Sequence, residues 1–118
     1  MELPIVNPDQ VPLPSEEVRI RSVEVEPYPD RRRLRIEIEL TLFQKPPNLE
    51  VWVENAQGER IAHTNIIGAM TSQMTLTMHL RGENIVGVHT LLLLLSYEEE
   101  GEIERRPFKF EILEGAGE

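Results

Sequence analysis

The chain has no cysteine, one tryptophan, two tyrosines and three phenylalanines in 118 residues. Without cysteine there is no disulfide framework, no thiolate nucleophile and no zinc–thiolate site. Aspartate is almost missing too: Asp9 and Asp30 stand alone, and glutamate supplies the other acidic side chains. That balance suits solvated strand faces better than calcium loops, which interleave Asp, Asn and Gly. Basic residues are outnumbered, 12 to 21, for a formal net charge of -9. Phosphate backbones and anionic bilayers both reward Lys and Arg, so no nucleic acid and no membrane is expected as a partner. The longest apolar run, Leu91 to Leu95, falls far short of the roughly 20 residues a membrane helix needs. Met1-Glu2-Leu3-Pro4 has no basic, apolar leader, and with the lack of cysteine this gives a cytoplasmic expectation. No internal repeat, low-complexity segment or helical period is visible.

What is present is period two. Leu34, Ile36, Ile38, Leu40 and Leu42 alternate with Arg33, Arg35, Glu37, Glu39 and Thr41, the pattern of a strand with one buried face. Further strands are expected at Val18 to Glu26, Leu49 to Glu54, Arg60 to Ile67, Met74 to Leu80, Gly87 to Tyr97 and Ile103 to Leu113. In the first of these Val18 and Ile20 are out of phase with Val23 and Val25, which predicts a bulge near Ser22. Pro27-Tyr28-Pro29-Asp30, Lys45-Pro46-Pro47-Asn48, Asn55-Ala56-Gln57-Gly58, Arg81-Gly82-Glu83-Asn84 and Glu98 to Glu102 are turns. Gly87 to Tyr97, apolar on both faces, reads as the central strand. Pro107 marks the last strand as an edge strand.

Residues 1–15, with Pro4, Pro8, Pro12 and Pro14, read as an extended arm lying along the domain. Residues 16–113 form one all-β domain, an antiparallel two-sheet sandwich of about seven strands. Residues 114–118 are a glycine-rich, frayed tail.

The succession Pro47-Asn48-Leu49-Glu50-Val51-Trp52-Val53, a Gly58 turn, Met74 to Leu80 and Gly87-Val88-His89-Thr90-Leu91 resembles an immunoglobulin-like or fibronectin type III-like domain over roughly residues 18–113. His89 stands where that family often has a tyrosine, and the disulfide pair is missing. The resemblance implies a sandwich fold and a taste for interactions, not a chemistry.

The pleat of two strands then decides what faces out. If Thr90 and Ser96 point to solvent, Leu91, Leu93 and Leu95 fill the core while Leu92 and Leu94 lie on the outer surface. Trp52 shares its face with Glu50 and Glu54; turning it inward would bury two carboxylates at a cost of several kcal/mol. In the immunoglobulin-like order these strands are neighbours, so Trp52, Leu92 and Leu94 are expected to make one apolar outer patch. Burying each is worth about 1.5 to 3 kcal/mol, so a cover is expected: the arm, a second copy of the chain, or another protein. A one-residue slip in phase would instead make the patch ordinary core.

Other groups carry less. His63, His79 and His89 have no metal spacing; His79 is expected in solvent and His89 in the core. Glu98 to Glu102 reads as a solvated hairpin tip. Arg31-Arg32-Arg33-x-Arg35 is the only basic cluster, expected at the opposite pole from that tip. The polarity would favour weak head-to-tail contact at low salt, but Arg105 and Arg106 soften it, and two solvated hairpins are the expectation. Ser15, Ser22, Ser72 and Ser96 lie in no nucleophile context, and Glu37 and Glu39 sit on an open strand face, a poor place for a raised pKa. No catalytic residue, cofactor or metal is therefore expected. The expected function is a protein-interaction or assembly module, homodimeric or bound to another protein, using Trp52, Leu92 and Leu94. A small-ligand or carbohydrate-binding domain using Trp52 as a stacking platform is the alternative, and an accessory domain of a larger enzyme complex is a third.

Overall fold

Alternating apolar residues close into two sheets when every strand has one face to bury. The computed structural model describes residues 11–82 and 86–113. Its strands are β1 (Ile20–Pro27), β2 (Arg33–Leu40), β3 (Asn48–Glu54), β4 (Arg60–Ile66), β5 (Gln73–His79), β6 (Gly87–Tyr97) and β7 (Gly101–Ile112). They form a three-stranded sheet in the order β1-β2-β5 and a four-stranded sheet in the order β4-β3-β6-β7. Every pairing is antiparallel. Residues 1–10 of the expected arm, the expected tail at 114–118, and Glu83 and Asn84 of one turn lie outside the described residues.

The core is the set of inward faces. β2 contributes Leu34, Ile36, Ile38 and Leu40; β3 contributes Leu49, Val51 and Val53; β6 contributes Leu91, Leu93 and Leu95, all buried. β1 joins them through a bulge between Ile20 and Ser22. The extra residue there lets Val18, Ile20 and Val23 all be buried despite their mismatched sequence phase. β2 stops at Leu40, two residues short of the sequence expectation. The chain peels away because Thr41 turns to Arg19, its amide donating to the Arg19 carbonyl at 2.9 Å and its hydroxyl accepting from the Arg19 amide at 3.0 Å. The Leu42 carbonyl then accepts the Leu13 amide at 3.0 Å. Leu13 runs parallel to Phe43, and both pack against the core.

His89 is fully buried, with Nδ1 2.9 Å from the Gly87 carbonyl and its ring stacked on Phe110. That contact makes Nδ1 the donor, and Nε2 has no partner. Tyr97 closes the other end of β6. It is 3% exposed, and its hydroxyl donates to the Lys45 carbonyl at 2.8 Å. Burial pushes the phenol pKa above its usual value near 10.

Two outcomes test this packing. Leu93→Ala should cost about 2 to 5 kcal/mol in denaturant unfolding, and Leu92→Ala clearly less, because only Leu93 lies between the sheets. For Tyr97, the unfolded phenol ionises near pH 10 while the folded one holds its proton. Stability is therefore full below pH 10 and declines as pH rises through the higher folded value. In Tyr97→Phe that alkaline decline should be smaller, read from unfolding free energies between pH 8 and pH 11.

Candidate functional site

On the outer face of the four-stranded sheet, β3 presents Glu50, Trp52 and Glu54, and β6 presents Thr90, Leu92 and Leu94. Cross-strand register sets who meets whom. Trp52 lies opposite Leu92 on one side and His63 on the other, and Leu92 lies opposite Pro107. One row, His63–Trp52–Leu92–Pro107, thus crosses all four strands. The adjacent row is Asn65–Glu50–Leu94–Arg105, which puts Leu94 diagonal to Trp52. The row on the far side is Arg60–Glu54–Thr90–Lys109. An apolar band therefore runs between two rows rich in charge.

The three expected patch residues do share this outer face, and none lies between the sheets. Each is half-buried, so neighbours in the sheet already supply part of the cover. The Trp52 indole stacks on the His63 ring, with centroids 5.4 Å apart and planes 24° apart. The Arg60 guanidinium sits 4.9 Å from the indole centroid. These two groups are in turn held by carboxylates: His63 Nε2 is 3.2 Å from Glu50, and Arg60 Nε is 3.9 Å from Glu54. The Arg105 guanidinium bonds Glu102 at 3.0 Å. That bond, with Glu50 nearby, raises its pKa still further above the usual arginine value. The described part of the N-terminal arm is elsewhere, packed beside Phe43.

His63, Arg60 and Pro107 were not placed on this face by the sequence, although His63 was weighed as a metal ligand and Pro107 marked an edge strand. The first two become visible only from the β3–β4 pairing. Pro107 is hidden by a bulge between Leu95 and Ser96 in the register of β6 with β7, which leaves Ile103 without a partner and shifts β7 by one residue. Counting back from the turn without that bulge puts Arg106 beside Leu92.

The remaining candidates disperse. His79 is exposed on β5, His89 is in the core, and His63 is on the band. Among the described residues no group of three or more His, Cys, Asp or Glu side chains is placed to hold a metal ion. Glu37 and Glu39 lie on the outer face of the other sheet, where Arg35 bonds Glu37 at 2.9 Å and Ser22 meets Glu39 at 3.5 Å. The Glu98 to Glu102 turn has a cation of its own: Lys45 Nζ lies 3.8 Å from Glu99 and 3.5 Å from Glu100. The arginine cluster is at the opposite pole. There Arg33 bonds Asp30 at 2.9 Å and lies 4.4 Å from the Tyr28 ring centroid. The Arg32 amide and the Arg33 guanidinium, both hydrogen-bonded to Asp30, hold its carboxyl below the usual range.

No protein-family model and no curated protein matches the sequence. Among solved structures, a β-glucuronidase of glycoside hydrolase family 2 superposes with a TM-score of 0.50 at 14% identity, over 77% of this chain and 11% of that one. A β-glucuronidase from Ruminococcus gnavus, in complex with uronic deoxynojirimycin, gives a TM-score of 0.49 at 18% identity, over 81% of this chain and 16% of that one. At such identities the first likeness is one of fold alone, and this chain spans only a small fraction of either protein's length.

Arg60→Ala should expose the indole and remove a cation–π contact. The expected outcome is a loss of about 0.5 to 1 kcal/mol in denaturant unfolding and a red shift of Trp52 emission.

Proposed function

We propose that this chain is a non-catalytic assembly module, a cytoplasmic immunoglobulin-like domain that pairs with a second copy through the outer face of its four-stranded sheet. The observation that carries this reading is the row Trp52–Leu92–Pro107, with Leu94 diagonal to it, flanked by charge on both sides. An apolar centre with a charged rim is the usual anatomy of a protein interface. Tryptophan at the centre is the residue type most often found to anchor one. A two-fold axis through the band brings Trp52 of one copy toward the leucines of the other, as an isologous contact requires.

The immunoglobulin-like part of the reading rests on the strand order. Constant-type immunoglobulin domains divide seven strands into sheets of four and three. Here the division is three and four, with β4 beside β3 instead of beside β5. The cytoplasmic part rests on the absence of cysteine. The carbohydrate-binding alternative has less support, because His63 and Arg60 already take up indole surface that a sugar ring would stack on.

Trp52 is the sole tryptophan, so its fluorescence reports on this face alone. Emission should be blue-shifted in concentrated solution and redden on dilution as the solution mass falls. Leu92→Lys should show the dilute-state emission at every concentration. Emission of the unaltered chain that stays constant from micromolar to millimolar would rule out pairing through this face.

A further inference from the structure

A two-sheet sandwich has four edge strands, each with a row of backbone groups open to pairing, and proteins usually blunt such edges. Three of the four are blunted here. β1 has its bulge and carries Arg21, Glu24 and Glu26. β4 begins at Arg60 and is broken by an extra residue, Ile61, opposite the Val53–Glu54 step. β7 has Pro107 at mid-strand with Arg105, Arg106 and Lys109 around it. β5 has none of these devices. Its sequence, Gln73-Met74-Thr75-Leu76-Thr77-Met78-His79, contains no proline, glycine, Lys, Arg, Asp or Glu, and its register with β2 is unbroken. Among the described residues it pairs on one side only.

Hydrogen bonds at its two ends show which groups are open. The Leu40 amide donates to the Ser72 carbonyl and the Leu80 amide to the Arg32 carbonyl, both at 2.7 Å. Even-numbered positions therefore turn their backbone groups toward β2, and Gln73, Thr75, Thr77 and His79 turn theirs to the free edge. The Gln73 carbonyl already accepts the Thr71 hydroxyl at 2.6 Å, and past the other end the Arg81 amide donates to the Ile61 carbonyl of β4 at 2.9 Å, so the open stretch lies between them, from Thr75 to His79. The odd residues are exposed, while Met74 and Leu76 on the inner face are only half covered.

We propose that β5 is a second, independent self-pairing site, at which two copies join antiparallel about Leu76 into one continuous six-stranded sheet. The two-fold places Thr75 opposite the second copy's Thr77, so that residues with outward backbone groups meet as hydrogen-bonded pairs. Leu76 meets its own counterpart, and Met74 meets the second copy's Met78, extending the apolar inner face across the join.

The occupant is a second copy because the charges beside β5 complement themselves under that rotation. On the outer face β2 carries Arg33 and Arg35 opposite His79 and Thr77, and Glu37 and Glu39 opposite Thr75 and Gln73. The two-fold therefore aligns Arg35 with the second copy's Glu37, and Arg33 with its Glu39, across three strand spacings, about 14 Å less the reach of the side chains. Parallel pairing would align like with like. The join also closes on itself: the outer strands of the six-stranded sheet are two copies of β1, whose bulge and charges stop further addition. It uses neither Trp52 nor Leu92, so it stands or falls apart from the face contact.

The test is amide hydrogen exchange on the full chain in dilute and concentrated solution. Thr75 and Thr77 amides should slow by about tenfold or more on concentration. Thr77→Lys, an exposed change that leaves the bonds to β2 intact, should abolish the slowing at Thr75. Leu92→Lys should leave it in place. Exchange at both positions that is the same at every concentration overturns the proposal, as does slowing that persists unchanged in Thr77→Lys. Thr75→Pro, which removes an amide that β2 does not use, provides a second variant, in which the slowing at the Thr77 amide should be lost.

Discussion

From Thr90 to Ser96, β6 is paired on both sides, to β3 and to β7, so its backbone there is spoken for and only its two faces remain to be assigned. Pleat parity does the assigning. One face must meet the opposite sheet, and the small polar residues at its ends, Thr90 and Ser96, put Leu91, Leu93 and Leu95 there. The same parity places Leu92 and Leu94 on the outside. Because β3 is locked in register beside it, Trp52 is delivered to the same surface. The apolar band is thus a by-product of a strand that is leucine on both sides.

Charge is handled locally. The arginine-rich turn between β1 and β2 is tied to Asp30, and the glutamate turn between β6 and β7 is met by Lys45 from the neighbouring loop. Pole-to-pole attraction is weakened at both ends by these partners, for exposed ion pairs are individually weak and screened by salt. What distinguishes surfaces on this molecule is therefore where charge is missing. It is missing from a row across one sheet and from the free strand of the other.

Much of this was legible in the residues. β2 declares itself by strict alternation, and β6 by its run of leucines between turn signals. The outward turn of Trp52 followed from a cost argument, since Glu50 and Glu54 would have been buried with it. The bulge at Ser22 was legible because two valines contradict the phase of the residues before them. What could not be read were features set by pairing. The peel of Leu42 away from β2 depends on Thr41 finding Arg19 and on Leu13 arriving from the N-terminal side. The presence of His63 and Arg60 beside the indole depends on the register of β4. For the same reason the part of the patch's cover that neighbours within the sheet supply was not read, because side-by-side shielding is invisible from one strand's sequence.

Ile103 stands unpaired where β6 gives way to β7, and that single surplus residue has an outsized effect. A ladder that ran straight through it, without the bulge, would slide every following position one step. Phe108, Phe110 and Ile112 would then turn to water, and Pro107 and Lys109 would turn to the interior. The bulge that absorbs Ile103 is thus what keeps the inward faces of β6 and β7 in step. Loss of Ile103 itself would only straighten the ladder, for Leu95 would still meet Glu104 and Leu91 would still meet Phe108.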